Sequence, residues 1–246
     1  MRVDILSLLP GMFGEVFDHG IVRRARQAGL LQIETHALTD WTEGRFQRAD
    51  DAPYGGGPGM VMRVEPLVEA VEAIGELDAA EPRVVLLSPR GRQLDQEVVA
   101  ELAREPRLLL VAGRYEGVDE RFTGLTGAEE ISVGDYVLSG GEVAAMVVVD
   151  AVTRLIPGAV GDSESVVQES FATGLLEHAH YPRPPVFRGE EVPPVLLSGN
   201  HQAVRRFRRE QSVQLTRNRR PDLFRAFAGQ REPASKPNPD TKERSS

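Results

Sequence analysis

The sequence predicts an α/β protein built on a parallel sheet, and three observations indicate this class. Short apolar runs typical of buried strands alternate along the chain with segments of helical periodicity. Several of these apolar runs end in glycine-containing loops. The chain has 246 residues, of which 41% are hydrophobic, and this is enough for a sizeable core arranged in one or two domains.

The first predicted elements lie before residue 61. The run VDILSLLP alternates in hydrophobicity and ends at Pro10 and Gly11, which predicts a first strand followed by a helix over 13–28. A second strand is predicted over 31–38. The polar, glycine-rich segment 39–60 is longer than an ordinary connection, so we expect this loop to border the active site.

The next elements alternate regularly between helix and strand. A helix is predicted over 64–74, a strand over 83–87, a helix over 94–104 and a strand over 107–111. The apolar stretch 143–157 has the length and periodicity of a buried helix, with a glycine turn at its start. This alternation is the mark of a parallel sheet.

Glycine-containing loops are the main functional signal. Loops that follow neighbouring parallel strands converge on one crevice, where glycines let backbone groups approach a flat, nucleotide-like ligand. A single GG pair is alternatively only a turn before a helix. A phosphate-binding nucleotide enzyme is disfavoured, because the chain has no GxxxxGK[ST] and no GxGxxG between strand and helix. The loops are PYGGGPGM (53–60), LLSPRGR (86–92), AGRYEGVDER (112–121) and SVGDYVLSGGE (132–142).

Composition excludes several classes of site. The chain has no cysteine, so it has no disulfide, no thiolate metal site and no catalytic cysteine. Its five histidines lack zinc spacing, and we predict no structural metal. No apolar stretch approaches a membrane span of roughly 18 residues, and the N-terminus does not resemble a signal peptide. We therefore expect a cytoplasmic protein without a membrane partner.

The second part of the chain differs in composition from the first. Residues 161–173 are polar, small and weakly periodic, which predicts an interdomain linker after a first domain over 1–160. A mostly helical second domain is predicted over 174–228. Residues 229–246 lack large apolar side chains and are predicted to be a disordered tail.

A block of arginines in the second domain predicts contact with nucleic acid. The net charge of the chain is −8, yet 201–220 carries a local charge of +6, and Ser198 or Asn200 could cap a helix there. Arginine binds phosphate in a bidentate manner and stacks on bases, whereas the alternative is an ordinary solvated helix face. The arginines are Arg205, Arg206, Arg208, Arg209, Arg217, Arg219 and Arg220.

Six motifs, taken together, resemble one family. They are the four loops above, ESFATGLLEHAHYPRP (169–184) and VPPVLLSGNHQAVRRFRREQS (192–212). In this order and spacing they closely resemble bacterial tRNA (guanine-N1)-methyltransferases along residues 1–228. The resemblance implies a SPOUT-type parallel sheet whose C-terminal part forms a deep trefoil knot, plus a small helical C-terminal domain. It also implies S-adenosylmethionine as methyl donor, tRNA as substrate, and an obligate homodimer with composite active sites.

The resemblance also assigns the binding residues. The sheet domain (1–160) would bind the donor and the helical domain (174–228) the tRNA, through Arg205, Arg206, Arg208 and Arg209. The guanine side would be shaped by Gly55, Gly56, Gly57 and Gly59. Donor-binding residues would be Leu87, Pro89, Gly113, Tyr115, Val133, Gly134, Asp135, Tyr136, Val137, Leu138, Gly140 and Gly141.

Three catalytic residues follow from the same resemblance. Guanine N1 carries a proton, so methylation needs a base, and the family's linker aspartate is matched by Glu169, which is one methylene longer. Either the linker is re-set to compensate or the base is weakened, because a shift near 1 Å costs roughly a hundredfold in rate. Glu169 is alternatively an ordinary solvated acid.

Arg154 matches the arginine that faces guanine O6, and its alternative role is a cation that balances the helix dipole. Glu116 would orient the methyl donor or help to hold an activating Mg²⁺ ion. Gln47 stands where the family often has histidine.

Two functions are therefore compared. The leading hypothesis is methylation of N1 of guanine 37 in tRNA. The other is that the replacements at Glu169 and Gln47 mark an RNA-binding protein of the same fold without methylation activity.

Overall fold

The computed structural model describes residues 1–42, 48–161 and 169–229. Contacts divide the chain into two compact units, Met1–Ser163 and Glu164–Ser246. Within the described ranges, no helix has the length and apolar character needed to cross a membrane. The two units are described separately below.

A five-stranded, fully parallel sheet forms the centre of the first unit, with strand order β2-β1-β6-β5-β7. This confirms the predicted α/β class with a parallel sheet. β3 and β4 form a separate antiparallel pair. The strands are β1 (Arg2–Ser7), β2 (Gln32–Ala37), β3 (Asp50–Asp51), β4 (Val61–Met62), β5 (Arg83–Gln93), β6 (Arg107–Ala112) and β7 (Glu129–Ser132).

The described part of the first unit has five helices, of which the first four connect strands and the last follows β7: α1 (Gly20–Gln27), α2 (Val64–Gly75), α3 (Gln96–Leu102), α4 (Arg121–Thr126) and α5 (Glu142–Thr153). The predicted helix over 13–28 is wrong in its first half. Two short 3₁₀ turns, Pro10–Phe13 and Val16–Asp18, stand there instead. Gly20 has φ 60°, a left-handed conformation that a continuous helix cannot include, so α1 begins only at that residue.

Apolar side chains cover both faces of the sheet. On one face, residues such as Ile5 and Leu110 pack with α1, α3 and α5. On the other face, residues such as Leu6 and Leu109 pack with α2 and with Phe122 of α4. This division follows from the alternation of side chains along each strand. All six residues of the central strand β6 are buried.

The chain crosses the backbone of β7 at Gly91. Ile131 of β7 pairs with Leu87 and also with Arg92, both in parallel register. Two segments cannot occupy the same side of one strand at the same register, so the two parts of β5 flank β7. A Cβ on Gly91 would overlap backbone atoms of Glu130 and Ile131, so only glycine fits at this crossing. The predicted trefoil knot itself stays a prediction.

A buried ion network lies where β1 and β6 begin. Asp4 and Arg107 are both fully buried, and Arg107 Nε donates to Asp4 Oδ2 at 2.9 Å. Arg107 also donates to the carbonyl oxygens of Ile74 and Gly75, which end α2. The network therefore links the sheet to the C-terminus of α2. It lies at the N-terminal ends of the strands, opposite the loops that follow β5, β6 and β7.

Over residues 169–229, the part that the structure describes, the second unit contains a small hairpin and three helices. They are β8 (Val186–Phe187), β9 (Glu190–Glu191), α6 (Pro194–Leu197), α7 (His201–Arg219) and α8 (Pro221–Gly229). Asn200 caps α7, because its side chain accepts a hydrogen bond from the Ala203 amide at 3.1 Å. Of the two predicted caps, Asn200 is therefore the one used. Thr216 of α7 and Leu175 are buried in this unit.

Candidate functional site

One cavity lies beyond the C-terminal ends of β5, β6 and β7. Its volume is about 420 Å³, within the range of roughly 300–1,000 Å³ usual for small-molecule sites. Three loops line it, and those after β5 and β6 follow strands that the sequence predicts, whereas the third follows β7, which the sequence did not predict. Such an edge is where open α/β sheets bind their ligands.

Two glycines close the inner wall of this cavity. The amide of Gly141, which caps α5, donates to the Gly113 carbonyl at 2.7 Å. A Cβ on Gly141 would lie 2.8 Å from the Cα of Ala112, and one on Gly113 would lie 3.2 Å from the Leu87 carbonyl oxygen. The walls at this point are therefore made of backbone, which leaves the space to a ligand.

The loop between β7 and α5 folds back on itself. The Tyr136 amide donates to the Gly134 carbonyl at 2.9 Å, and the Tyr136 hydroxyl donates to the Val133 carbonyl at 3.2 Å. Gly134 has φ 146°, and a Cβ there would lie 2.6 Å from the Tyr136 ring. Val137, at the loop tip, is 86% exposed. The loop thus presents an apolar rim that its own hydrogen bonds hold in place.

A buried carboxylate joins the cavity wall to the sheet. Glu142, the first residue of α5, is 1% exposed, and its Oε1 accepts from Ser7 Oγ at 2.8 Å and from Arg114 Nε at 2.9 Å. Its Oε2 has no hydrogen-bond partner within the described part of the chain. A negative charge is favourable at a helix N-terminus. Arg114 is thereby held at the edge of the cavity.

The C-terminal end of the long glycine loop is tied to the cavity. The Glu116 amide donates to the Met60 carbonyl at 2.9 Å, and the Met62 amide donates to the Gly117 carbonyl at the same distance. The Glu116 side chain lies directly over Gly59, with its Oε1 2.5 Å from where a Cβ would stand. Gly59 therefore allows the Glu116 carboxylate to lie at the cavity.

The other three glycines of this loop lie apart from the cavity. Gly55, Gly56 and Gly57 are exposed, have φ of 86°, 76° and 127°, and would meet no atom within 4 Å if given a Cβ. Their conformations still exclude most other residues.

Tyr115 stands between the cavity and β3. It is a non-glycine residue with φ 60°, which costs on the order of 1 kcal/mol or more. Burial, followed by the negative charge and hydrogen bond of Asp50, raises the pKa of the Tyr115 hydroxyl. The phenol therefore stays protonated at neutral pH.

Eleven of the twelve predicted donor-binding residues line the cavity, and Glu116 lines it too. Asp135 is not one of the lining residues. The sequence prediction did not single out several others, of which Arg114 is the most informative, because AGRYEG already placed it beside Gly113 and Tyr115. The eleven are Leu87, Pro89, Gly113, Tyr115, Val133, Gly134, Tyr136, Val137, Leu138, Gly140 and Gly141.

The predicted catalytic arginine and base lie in different units. Arg154 is the C-cap of α5, and it is half-buried and not a lining residue of the cavity. Glu169 belongs to the second unit, where its carbonyl accepts a hydrogen bond from the Ala172 amide at 3.3 Å. Gln47 lies outside the described residues.

The arginines in and next to α7 include several that contact aromatic rings. Three arginines of this region lie over phenylalanine rings, with Arg209 5.1 Å from Phe227 and Arg217 4.9 Å from Phe224. Arg220, just after α7, lies 6.0 Å from the ring of Phe171. Arg205, Arg206 and Arg208 are exposed, as are Arg209 and Arg217, and Arg206 lies 3.7 Å from Glu210. All four arginines predicted to bind tRNA are therefore accessible on the surface of α7.

Only one group of side chains in the described ranges has the geometry to hold a metal ion. Glu177, His178 and His180 each offer one ligand atom, and these atoms lie within 4.8 Å of one another. The group is partly exposed and forms an ordinary contact, with His180 Nε2 2.8 Å from Glu177 Oε1. The predicted absence of a structural metal stays a prediction.

Comparison with known proteins gives one consistent result. A family model described as tRNA (Guanine-1)-methyltransferase TrmD matches residues 1–226. A protein named tRNA (guanine-N(1)-)-methyltransferase from Dehalococcoides mccartyi is 50% identical over 224 residues, which cover 91% of this chain and 90% of the relative.

Relatives with the same name from two other bacteria are equally similar. The Chloroflexus aurantiacus protein is 53% identical over 224 residues, which cover 91% of this chain and 88% of the relative. The Stutzerimonas stutzeri protein is 50% identical over 232 residues, which cover 94% and 93%.

Proposed function

The chain belongs to the tRNA (guanine-1)-methyltransferase family, and from this premise we propose that it transfers a methyl group from S-adenosylmethionine to N1 of guanine 37 in tRNA. The observation that carries the proposal is the cavity in which loops from three adjacent strands meet. The names of the relatives support methylation of guanine N1 in tRNA. The donor, the position in tRNA and the base are parts of the proposal.

The cavity suits the proposed donor. Its inner wall is backbone at Gly113 and Gly141, which lets a flat nucleoside approach closely, and its rim is apolar. Leu87, Gly113 and the 133–138 loop would hold the nucleoside part. S-adenosylmethionine supplies an electrophilic methyl group on a positively charged sulfur, beside which the Glu116 carboxylate would stand.

Proton removal falls to the chain's own side chains. Glu169 would take the N1 proton as N1 bonds to the methyl carbon and the bond from that carbon to the donor sulfur breaks. The proton would then end on the carboxylate, and a neutral thioether would leave. Arg154 donates to guanine O6, where negative charge develops as N1 loses that proton. A positioned base contributes roughly 10²–10⁴-fold to such a step.

The two units would have separate tasks. The sheet domain, 1–160, would bind the donor, and the helical domain, 174–228, would bind tRNA through the exposed arginines of α7. Arg205, Arg206 and Arg208 can contact phosphate without leaving another partner in the core. The crossing of β5 over β7 at Gly91 supports the knotted topology of the sheet domain.

A homodimer would complete the site, with Arg154 from one subunit and Glu169 from the other. The first unit carries exposed apolar residues on α5 and near the N-terminus, including Val143, Val147 and Met12, which such an interface would cover. Mixing inactive Arg154→Ala and Glu169→Gln subunits should then restore activity, because one site of each mixed dimer contains both intact residues. Mixed dimers without activity would contradict the composite site.

The described residues give no support to the predicted magnesium ion. Magnesium prefers several oxygen ligands in octahedral geometry, with waters filling the remaining positions. Near Glu116, the described residues include no group of three or more such side chains. A magnesium ion would therefore need ligands from the substrate or water, and no step is assigned to it.

Transfer of labelled methyl from S-adenosylmethionine to tRNA tests the proposal directly. We expect transfer to tRNA bearing G36 and G37, and none to the same tRNA with A37. Glu169→Gln should lower the single-turnover rate by roughly 10²-fold or more while tRNA binding stays intact. Donor and tRNA binding without turnover in the unmodified protein would instead support the RNA-binding alternative.

A further inference from the structure

Residues 169–177, here called the base loop, are closed by their own hydrogen bonds. The Phe171 amide donates to the Leu175 carbonyl at 2.8 Å, and the Glu177 amide donates to Ser170 Oγ at 3.0 Å. The loop thus forms a compact turn that starts at Glu169. Any contact that holds this turn also restricts where Glu169 can stand.

Thr216 of α7 is hydrogen-bonded to the base loop. Its hydroxyl donates to the Ser212 carbonyl one turn earlier at 2.6 Å, and the same oxygen accepts from the Leu176 amide at 2.9 Å. Thr216 is fully buried, and so is the neighbouring Leu175. Because its proton is used inside the helix, the hydroxyl presents only an acceptor to the loop.

Arg220 holds the loop from the end of the same helix. Its guanidinium lies 6.0 Å from the ring of Phe171, two residues from Glu169. Asp222 fixes that guanidinium, with Nε 3.0 Å from Oδ1 and Nη2 2.6 Å from Oδ2. The Arg220 amide donates to the Thr216 carbonyl at 2.8 Å, so both contacts come from one turn.

We propose that Thr216, with Arg220, is a positioning residue that couples tRNA binding on α7 to the placement of the Glu169 carboxylate. This inference rests on the proposed function. Arg205 and Arg208, presented for phosphate, and Thr216 belong to one continuous helix of 19 residues. Phosphates bound near its start therefore fix the position of the base loop near its end. Neither Thr216 nor Arg220 needs to touch the substrate.

Thr216→Val tests the coupling, because valine keeps the shape of threonine but removes the acceptor. We expect the single-turnover rate at saturating donor and tRNA to fall at least tenfold, since a displacement near 1 Å costs roughly a hundredfold. Dissociation constants for donor and tRNA should change less than twofold. Thr216→Ser, which keeps the hydroxyl, should restore most of the rate.

Thr126→Val is the matched control. Thr126 makes the same pair of bonds at the end of α4, donating to the Phe122 carbonyl at 2.8 Å and accepting from the Ala128 amide at 3.3 Å. Its loss should lower thermal stability in a comparable way and leave the single-turnover rate unchanged. An equal loss of rate in both variants would assign Thr216 a structural role only.

A double-mutant cycle separates positioning from stability. In a Glu169→Gln background, Thr216→Val should lower the rate no further, because the group that it places is already absent. Additive losses would overturn the inference. If Thr216→Val folds poorly, Arg220→Gln in the same two backgrounds gives the same test, since this side chain is largely at the surface.

The outcome is distinguishable from failure of the proposed function. An unmodified protein without methyl transfer would refute the proposed function. An active protein in which Thr216→Val is folded and equally fast would refute only the coupling.

Discussion

Arg114 and Glu142 are joined by a hydrogen bond of 2.9 Å from Nε to Oε1, which links the loop after β6 to the first turn of α5. Gly140 makes this approach possible, because a Cβ there would lie 2.8 Å from Arg114 Nε. Arg114 lines the cavity, and the buried Glu142, which also accepts a hydrogen bond from Ser7 at the end of β1, holds it there. The shape of the candidate donor site thus depends on a buried charge.

Glu142→Gln should lower both stability and donor affinity. The change removes the charge opposite Arg114 and leaves the polar groups of Ser7 and Arg114 imperfectly paired. We expect a loss of about 1–2 kcal/mol in the free energy of unfolding, because Arg114 stays partly hydrated. Urea denaturation measures the first effect and calorimetric titration with S-adenosylmethionine the second. Glu72→Gln, at an exposed position of α2, is the control and should change neither.

Gly91→Ala should destabilise the sheet domain strongly. The new methyl group would overlap the backbone of β7, which cannot move without disturbing its pairing with both parts of β5. Overpacking of this kind costs roughly 1–3 kcal/mol. Gly11→Ala provides the comparison, since a Cβ at Gly11 meets no atom within 4 Å. Equal melting temperatures for the two variants would contradict this, because the backbone of β7 would then shift to admit the methyl group at little cost.

Asp4 should make stability depend on acid pH. Burial alone would raise the pKa of this carboxyl, but hydrogen bonds from His36, Arg2 and Arg107 more than offset it and hold the pKa well below its ordinary 3.8. Because the folded pKa lies below the unfolded value, the stabilisation is complete above about pH 5 and is lost as the pH falls toward the folded pKa.

Asp4→Asn tests this dependence. It should lower the free energy of unfolding at pH 7 by roughly 3–5 kcal/mol, because Arg107 stays buried without a counter-charge. It should also flatten the decline of stability between pH 5 and pH 2, followed by urea denaturation at each pH. Asp18→Asn, which alters an exposed pair with Arg26, should leave the decline as it is. A variant as acid-sensitive as the unmodified protein would place the titrating group elsewhere.

Arg208→Glu should weaken tRNA binding through charge. Arg208 is exposed on α7, so its replacement should not disturb packing. Affinity should fall to a similar extent for all tRNA sequences, and the slope of log K against log salt should decrease by about 1. Filter binding at several salt concentrations measures both. Arg26→Glu makes the same charge change in the other unit and should leave the slope unaltered.

Sequence patterns predicted the elements in which buried apolar residues recur at the spacing of a helix or a strand. The helix predicted over 64–74 corresponds to α2 within one residue, because six of its side chains are buried on one face. β7 escaped prediction. Its sequence EEIS shows no apolar run, and its acids are paired with distant arginines, Glu129 with Arg83 and Glu130 with Arg90. Only the folded structure brings these charges together.

The candidate site likewise has features that sequence patterns predict and features that they do not. Glycines after apolar runs predicted the cavity, because loops after parallel strands converge. The pairing of Arg114 with Glu142 spans 28 residues and has no local signature, so a sequence pattern does not contain it. The hydrogen bond from the Leu176 amide to Thr216 joins residues 40 positions apart, and it likewise has no local signature in the sequence.

The passage of β5 around β7 also bears on how the chain is made. The ribosome releases Gly91 and Arg92 well before Glu130 and Ile131 are synthesised. The earlier segment therefore cannot pair with β7 until then. Assembly is complete only when the later strand lies between two segments synthesised long before it. Such long-range ordering slows acquisition of the native state. Unfolding requires the same passage to be undone, which favours a long-lived fold around the candidate site.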